Sequence, residues 1–312
     1  MKIAVLGPGG VGGLLAGALA CLPSATEGAR EDERGGNEVL VVAREPTAAT
    51  IAERGLRIDS VLFGELEAHP RALARLQEPV DALIVATKAA GLEPALERVE
   101  MDPPLLLPLL NGLDHLAVLR ERFAPASVLA GSIRVEADRP EPGVVVHTSQ
   151  FLLVDMASDE PSMRAPMQAL ADALAGAGVP VRVLDSEAQV MWSKLVRLNA
   201  LACTTSAYDV QLGEIRSRRE LRADLEGAIT EACAVGKAEG AHDVDPTVAI
   251  AELELAHDSL GSSMQRDIAA GREPELDAIP GSVLRAAARH GIACPTIEKL
   301  VALIRARIAA RA

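Results

Sequence analysis

A doubly wound, mostly parallel α/β sheet followed by an all-helical domain is the architecture that this sequence of 312 residues predicts. Three observations carry it. Short apolar runs alternate with amphipathic stretches through residues 1–185, a glycine-rich turn follows the first of those runs, and the pattern becomes helical throughout after Asp185.

Taken in order, the strands are Lys2 to Leu6, Val39 to Val42, Ala82 to Ala86, Pro104 to Leu110, Val128 to Ser132, Val144 to His147, Phe151 to Val154 and Val181 to Leu184. Several are apolar throughout, as expected of parallel strands covered on both faces. Helical stretches separate them, among them Leu14 to Ala20, Thr47 to Arg54 and Ser162 to Ala177. That alternation builds an open sheet with helices on its faces. Leu22 to Asn37, with Pro23, several glycines and the charged block Arg30 to Arg34, reads as a solvated loop. Beyond Asp185 the helices are Glu187 to Tyr208, Arg218 to Glu239, Pro246 to Ala269, Ile279 to His290 and a last one from Thr296. Two domains, 1–185 and 186–312, follow.

Composition narrows the function classes. Aromatic residues make up 2% of the chain, so base stacking on aromatic platforms is nearly excluded. A formal charge of −13 repels phosphate backbones and anionic lipids, which argues against nucleic acid and membrane surfaces as partners. No apolar run reaches the roughly 18 residues of a membrane span. Cys21, Cys203, Cys233 and Cys294 lie far apart, and the six histidines show no ligand spacing, so neither a disulfide framework nor a metal site is expected. His115, four residues after Asn111, reads as a helix-surface histidine, with a ligand-facing position as the alternative. A soluble cytoplasmic protein is the default.

The turn Gly7-Pro8-Gly9-Gly10-Val11-Gly12-Gly13 lies between strand and helix, the context in which a GxGxxG pattern binds a dinucleotide. Gly7 allows the tight turn, Gly9 lets the backbone approach a pyrophosphate, and Gly12 lets helix and strand pack closely. Gly10 and Val11 add N–H groups at the positive end of the helix. This marks residues 1–185 as a Rossmann-type domain. An NAD site usually offers a carboxylate at the end of the second strand. Here Arg44 comes first and suits a 2′-phosphate, which favours NADP; Glu45 is the rival and would favour NAD. Lys88, after the third strand, can contact cofactor phosphate or ribose. Asn111, closing the fourth, can bind substrate or orient a nicotinamide.

The chain resembles the ketopantoate reductase (2-dehydropantoate 2-reductase) family. The likeness runs through Met1 to Gly13, Asn111-Gly112-Leu113, Trp192-Ser193-Lys194-Leu195, and Ser262-Ser263-Met264-Gln265-Arg266-Asp267 onward to Glu275-Leu276-Asp277, with His290 to Thr296 as a further match. The resemblance implies NADPH-dependent reduction of a 2-oxo acid to a 2-hydroxy acid, as in pantothenate biosynthesis, in a cleft between a Rossmann-type and a helical domain. The family's catalytic lysine falls on Lys194, its active-site glutamate on Glu275, its carboxylate-binding serine on Ser263 and its asparagine near the nicotinamide on Asn111. The chemistry is coherent: hydride addition to a carbonyl leaves negative charge on oxygen, which a proton-donating ammonium stabilises. Glu275 can orient the substrate hydroxyl or keep the lysine charged. Residues alone would equally allow Glu273 and Asp277 as surface neighbours.

Three family asparagines are leucines here: Leu198, Leu212 and Leu260. An apolar wall in their place would leave a polar substrate group unsatisfied and so favour a more apolar 2-oxo acid. Asn199 does not replace the amide lost at 198, being about 100° further round a helix. A catalytically silent NADP(H)-binding sensor of the same fold is the competing reading. Helical second domains of this sort often pair, so a homodimer is an expectation.

Overall fold

The computed structural model describes residues 1–21 and 36–310; of the loop expected at Leu22 to Asn37, residues 22–35 lie outside them. The chain divides into two units, Met1–Leu110 with His115–Glu187, and Asn111–Asp114 with Ala188–Ala312.

In the first unit the elements run β1 (Lys2–Leu6), α1 (Gly10–Cys21), β2 (Glu38–Val42), α2 (Glu45–Arg54), β3 (Leu56–Ser60), β4 (Gly64–Ala68), β5 (Arg71–Leu73), β6 (Ala82–Val85), α3 (Leu92–Leu96), β7 (Leu106–Pro108), α4 (His115–Arg122), β8 (Ala130–Arg134), β9 (Ala137–Glu141), β10 (Val144–His147), β11 (Leu153–Ala157), α5 (Arg164–Gly176) and β12 (Val181–Val183). The central sheet has the order β5-β2-β1-β6-β7 and every pair in it is parallel. Successive residues of β1 face opposite sides. Ile3 and Val5 join one core with α1, whereas Ala4 and Leu6 join another with Leu92, Leu119 and Phe123.

The helix α1 is buried along its length from Gly12 to Leu19. A helix apolar all round has to be covered all round, and a second sheet, β4-β3-β10-β9, supplies the missing cover. Glycine makes this approach possible: a Cβ on Gly10 or Gly17 would come closer than 3.0 Å to the Ala137 carbonyl or to Ile58. This sheet is mixed, with β3 and β10 parallel and β4 and β9 antiparallel to their neighbours. A third sheet, β12-β11-β8, continues the central one, since the Leu129 amide donates to the Leu106 carbonyl at 2.9 Å.

The second unit carries α6 (Glu187–Tyr208), α7 (Leu212–Ser217), α8 (Arg219–Ala238), α9 (Pro246–Leu255), α10 (Ser263–Ala269), α11 (Ser282–His290) and α12 (Pro295–Ala309). The single helix expected from Pro246 to Ala269 is two helices. Asp245 caps α9 by accepting from Thr247 and Val248, and Ser262 caps α10 by accepting from Gln265 at 3.1 Å. The turn-forming stretch Asp258-Ser259-Leu260-Gly261 separates them. His115, expected on a helix surface, is buried at the start of α4. Among the described residues no helix is long and apolar enough to cross a membrane, and no group of three or more His, Cys, Asp or Glu is gathered as for a metal ion.

Candidate active site

In the first unit, Gly7 follows β1 with φ +89°, a conformation that L side chains rarely adopt, and its amide donates to the Val42 carbonyl at 3.0 Å. Gly12 sits where a Cβ would come closer than 3.0 Å to the Gly7 carbonyl, so helix and strand pack through it. Gly9 is the opposite case: a Cβ there meets nothing within 4 Å. Its surroundings form an open cradle at the first turn of α1, where Gly10, Val11 and Gly12 bring N–H groups that a helix leaves unpaired. The identity of Gly10 is set by its approach to β9, although its N–H belongs to that same turn. Thr87, which with Lys88 closes the third expected strand at the edge where ligands collect, carries a feature to which the sequence assigns no role. Its hydroxyl is buried without a hydrogen-bond partner among the described residues, and its methyl lies against Gly7. The signal was its place beside Lys88, at the carboxyl end of β6. An open cradle, helix N–H groups and an unsatisfied hydroxyl fit a dinucleotide phosphate.

Arg44 follows β2 at the start of α2, exposed and without a partner among the described residues. Its rival Glu45 is held by Arg98 at 3.1 Å. The hydrogen bond to its own backbone and the Arg98 guanidinium lower the Glu45 pKa. Lys88 is exposed, three residues after the end of β6.

In the second unit three expected site residues come together. The Lys194 ammonium donates to Asn111 Oδ1 at 2.8 Å, and Asn111 Nδ2 donates to Glu275 Oε2 at 2.9 Å. One amide, with its acceptor on one side and its donor on the other, therefore links a cation to a carboxylate 81 residues later in the chain (275 − 194). Both hydrogen bonds are charge-assisted, the stronger kind. The local sequence explains how Lys194 is presented. Trp192 is buried in the helical core with its indole against Gly236, where a Cβ would lie 3.1 Å from the ring. Two residues further, about 200° round α6, Lys194 faces away from that core.

Glu275 precedes a π-helical turn, Asp277–Gly281, that contains Pro280. Proline brings no N–H, so Gly281 donates to the Leu276 carbonyl instead, at 3.1 Å. Ser263 is the half-buried first residue of α10 and takes no partner among the described residues. The preceding Ser262 is committed to capping and to Thr205, at 2.8 Å. Leu198 and Leu260 are partly open, but Leu212 has no exposed surface. Leu212, expected in a substrate wall, is instead a core residue, packed there with its amide bonded to the Leu260 carbonyl at 2.9 Å. Asn199 is likewise fully buried.

Comparison with known proteins gives two family matches. The model described as "Ketopantoate reductase PanE/ApbA" matches residues 3–154, and "Ketopantoate reductase PanE/ApbA C terminal" matches residues 188–308. A 2-dehydropantoate 2-reductase of Halobacterium salinarum is 28% identical, with 98% of each chain covered. A solved PanE/ApbA family ketopantoate reductase from Ralstonia eutropha has a TM-score of 0.82 at 26% identity, covering 99% of each chain. A D-mandelate dehydrogenase solved with NADH and anilino(oxo)acetate shares the fold, with a TM-score of 0.84 at 24% identity and 99% of each chain covered.

Proposed function

This chain belongs to the ketopantoate reductase family, and we propose that it reduces a 2-oxo acid to the 2-hydroxy acid with NADPH, Lys194 donating the proton. As a member of that family it is an oxidoreductase acting on a CH–OH/C=O pair. The observation that carries the finer reading is the hydrogen-bonded series Lys194–Asn111–Glu275.

Bound reduced nicotinamide would supply the hydride to the carbonyl carbon. The developing alkoxide needs a proton and a positive charge beside it, and Lys194 offers both. Asn111 fixes the direction of the ammonium by accepting one of its N–H bonds, while Glu275, through the same amide, compensates its charge. Ser263, with its hydroxyl uncommitted, is the proposed partner of the substrate carboxylate. Arg44 is the proposed reader of the 2′-phosphate, and the engagement of Glu45 by Arg98 supports NADP over NAD. Leu198 and Leu260 support a 2-oxo acid with an aliphatic side chain, where 2-dehydropantoate would bring a hydroxyl they cannot pair.

The test is NADPH oxidation against a panel of 2-oxo acids, including 2-dehydropantoate and its counterpart without the hydroxymethyl group, 3-methyl-2-oxobutanoate. Lys194→Ala should lower kcat by about 10³-fold or more, the scale of a general acid, while NADPH still binds through the first unit. Wild-type turnover in that variant would overturn the role of Lys194. Tight NADPH binding by the wild-type protein with no acid reduced would favour the silent sensor instead.

A further inference from the structure

We propose that Arg285 is a positioning residue for this reduction: its guanidinium clamps the segment bearing Asn111 onto the turn bearing Glu275, and so holds the Asn111 amide between Lys194 and Glu275. The inference rests on the function proposed above and adds a residue to its machinery.

Two separate stretches meet here, and Asn111 and Glu275 sit at corresponding ends of them. Asp114 lies three residues after Asn111, and Asp277 two residues after Glu275. Arg285, from α11, bridges them. One of its terminal nitrogens donates to Asp114 Oδ2 at 2.6 Å and to the Asp277 carbonyl at 2.9 Å, with Asp277 Oδ2 at 3.3 Å, and the other donates to Asp277 Oδ1 at 2.7 Å. Between the clamp and the amide the two backbones abut. Gly112 has φ +86°, and a Cβ on it would come closer than 3.0 Å to the Ala278 carbonyl. The segment is thus tied by a side-chain amide at one end and a guanidinium at the other, over a contact that only glycine permits.

The planar fork of arginine suits this task because it meets two carboxylates and a carbonyl in one geometry. The clamp is not a large source of global stability. Arg285, Asp114 and Asp277 are 43%, 48% and 88% exposed, and exposed ion pairs contribute little to folding. Its effect is on geometry. The π-helical turn beside Glu275 is an irregular support, and a residue displaced by about 1 Å in an active site loses rate far more than stability.

The experiment uses the full chain, NADPH and the best 2-oxo acid of the panel. Arg285→Ala should lower kcat about tenfold, with KM for NADPH changed less than about twofold and the melting temperature by less than about 2 °C. Arg285→Lys keeps the charge but loses the fork, and should recover part of the loss. In an Asn111→Ala background, Arg285→Ala should add less than about a twofold further loss, because the clamp acts through that amide. If Arg285→Ala proves unstable, Asp114→Asn reports the same linkage with a smaller loss, about threefold. Wild-type kcat in the clamp variants, or the full tenfold loss again in the Asn111→Ala background, overturns the proposal. Lys194→Ala, measured alongside, separates the two levels. Activity retained there overturns the function, whereas activity lost there with a wild-type Arg285→Ala overturns the clamp alone.

Discussion

Gly9→Ala and Gly12→Ala add the same methyl group three residues apart, and the structure assigns them different consequences. At residue 12 the methyl meets the Gly7 carbonyl closer than 3.0 Å and Ala86 Cβ at 3.1 Å. Neither neighbour is the end of a flexible side chain, so α1 must withdraw from β1. Because α1 is covered on every side, that displacement spreads into both neighbouring sheets, an overpacking cost of about 1–3 kcal/mol. In a unit of this size each kcal/mol lowers the melting temperature by roughly 2–4 °C, which predicts a fall of about 2–12 °C. At residue 9 the methyl meets nothing, and φ is not in the positive range that would strain alanine. The melting temperature should therefore stay within about 1 °C. The cradle, however, is filled. Loss of one hydrogen bond from a backbone N–H to a charged phosphate costs about 1.5–3 kcal/mol, or about 10–100-fold in the Kd for NADPH. Thermal melts and NADPH fluorescence titration of both variants test the pair. Wild-type NADPH affinity in Gly9→Ala would refute the cradle, and a wild-type melting temperature in Gly12→Ala would refute the packing argument.

Restoring amides at the two partly open leucines, Leu198→Asn with Leu260→Asn, should shift the kcat/KM ratio toward 2-dehydropantoate over 3-methyl-2-oxobutanoate by about tenfold or more; an unchanged ratio places these side chains outside substrate selection. A pH effect should arise in the first unit. His147 is buried between Ser60 Oγ, 2.8 Å from Nδ1, and Ser149 Oγ, 3.1 Å from Nε2, and burial lowers its pKa below the ordinary 6.5. The unfolded chain takes up a proton there before the folded one does, so stability falls as pH drops below about 6.5 and stops falling beneath the lowered folded value. Melts between about pH 8 and pH 5 should show this slope, and His147→Gln, which does not titrate, should flatten it. Equal slopes would count against the assignment.

Much of the first unit was legible because its signals are local. The run from Lys2 to Gly13 carries a strand, a turn needing positive φ at Gly7 and a helix start, each dictated by neighbouring residues. β3 and β4 were missed. Arg57, Asp59, Glu65 and Glu67 interrupt any continuous apolar run, although they alternate with Leu56, Ile58, Leu66 and Ala68 at the period of a half-buried strand, and β3 pairs with β10, nearly ninety residues away. The split of the expected helix at Pro246 to Ala269 was written in the turn formers before Ser262, which lie between two segments that are each helical.

The order of residues alone revealed the groups available: a glycine-rich turn between strand and helix, a lysine, a glutamate and an asparagine, with the family resemblance to suggest their roles. Tertiary structure alone decided that the Asn111 amide stands between Lys194 and Glu275, that Gly10 serves packing against β9, and that Leu212 belongs to the core. The reason is range. Backbone geometry constrains residues a few positions apart, whereas a hydrogen bond spanning 83 or 164 residues exists only once packing has brought the segments together.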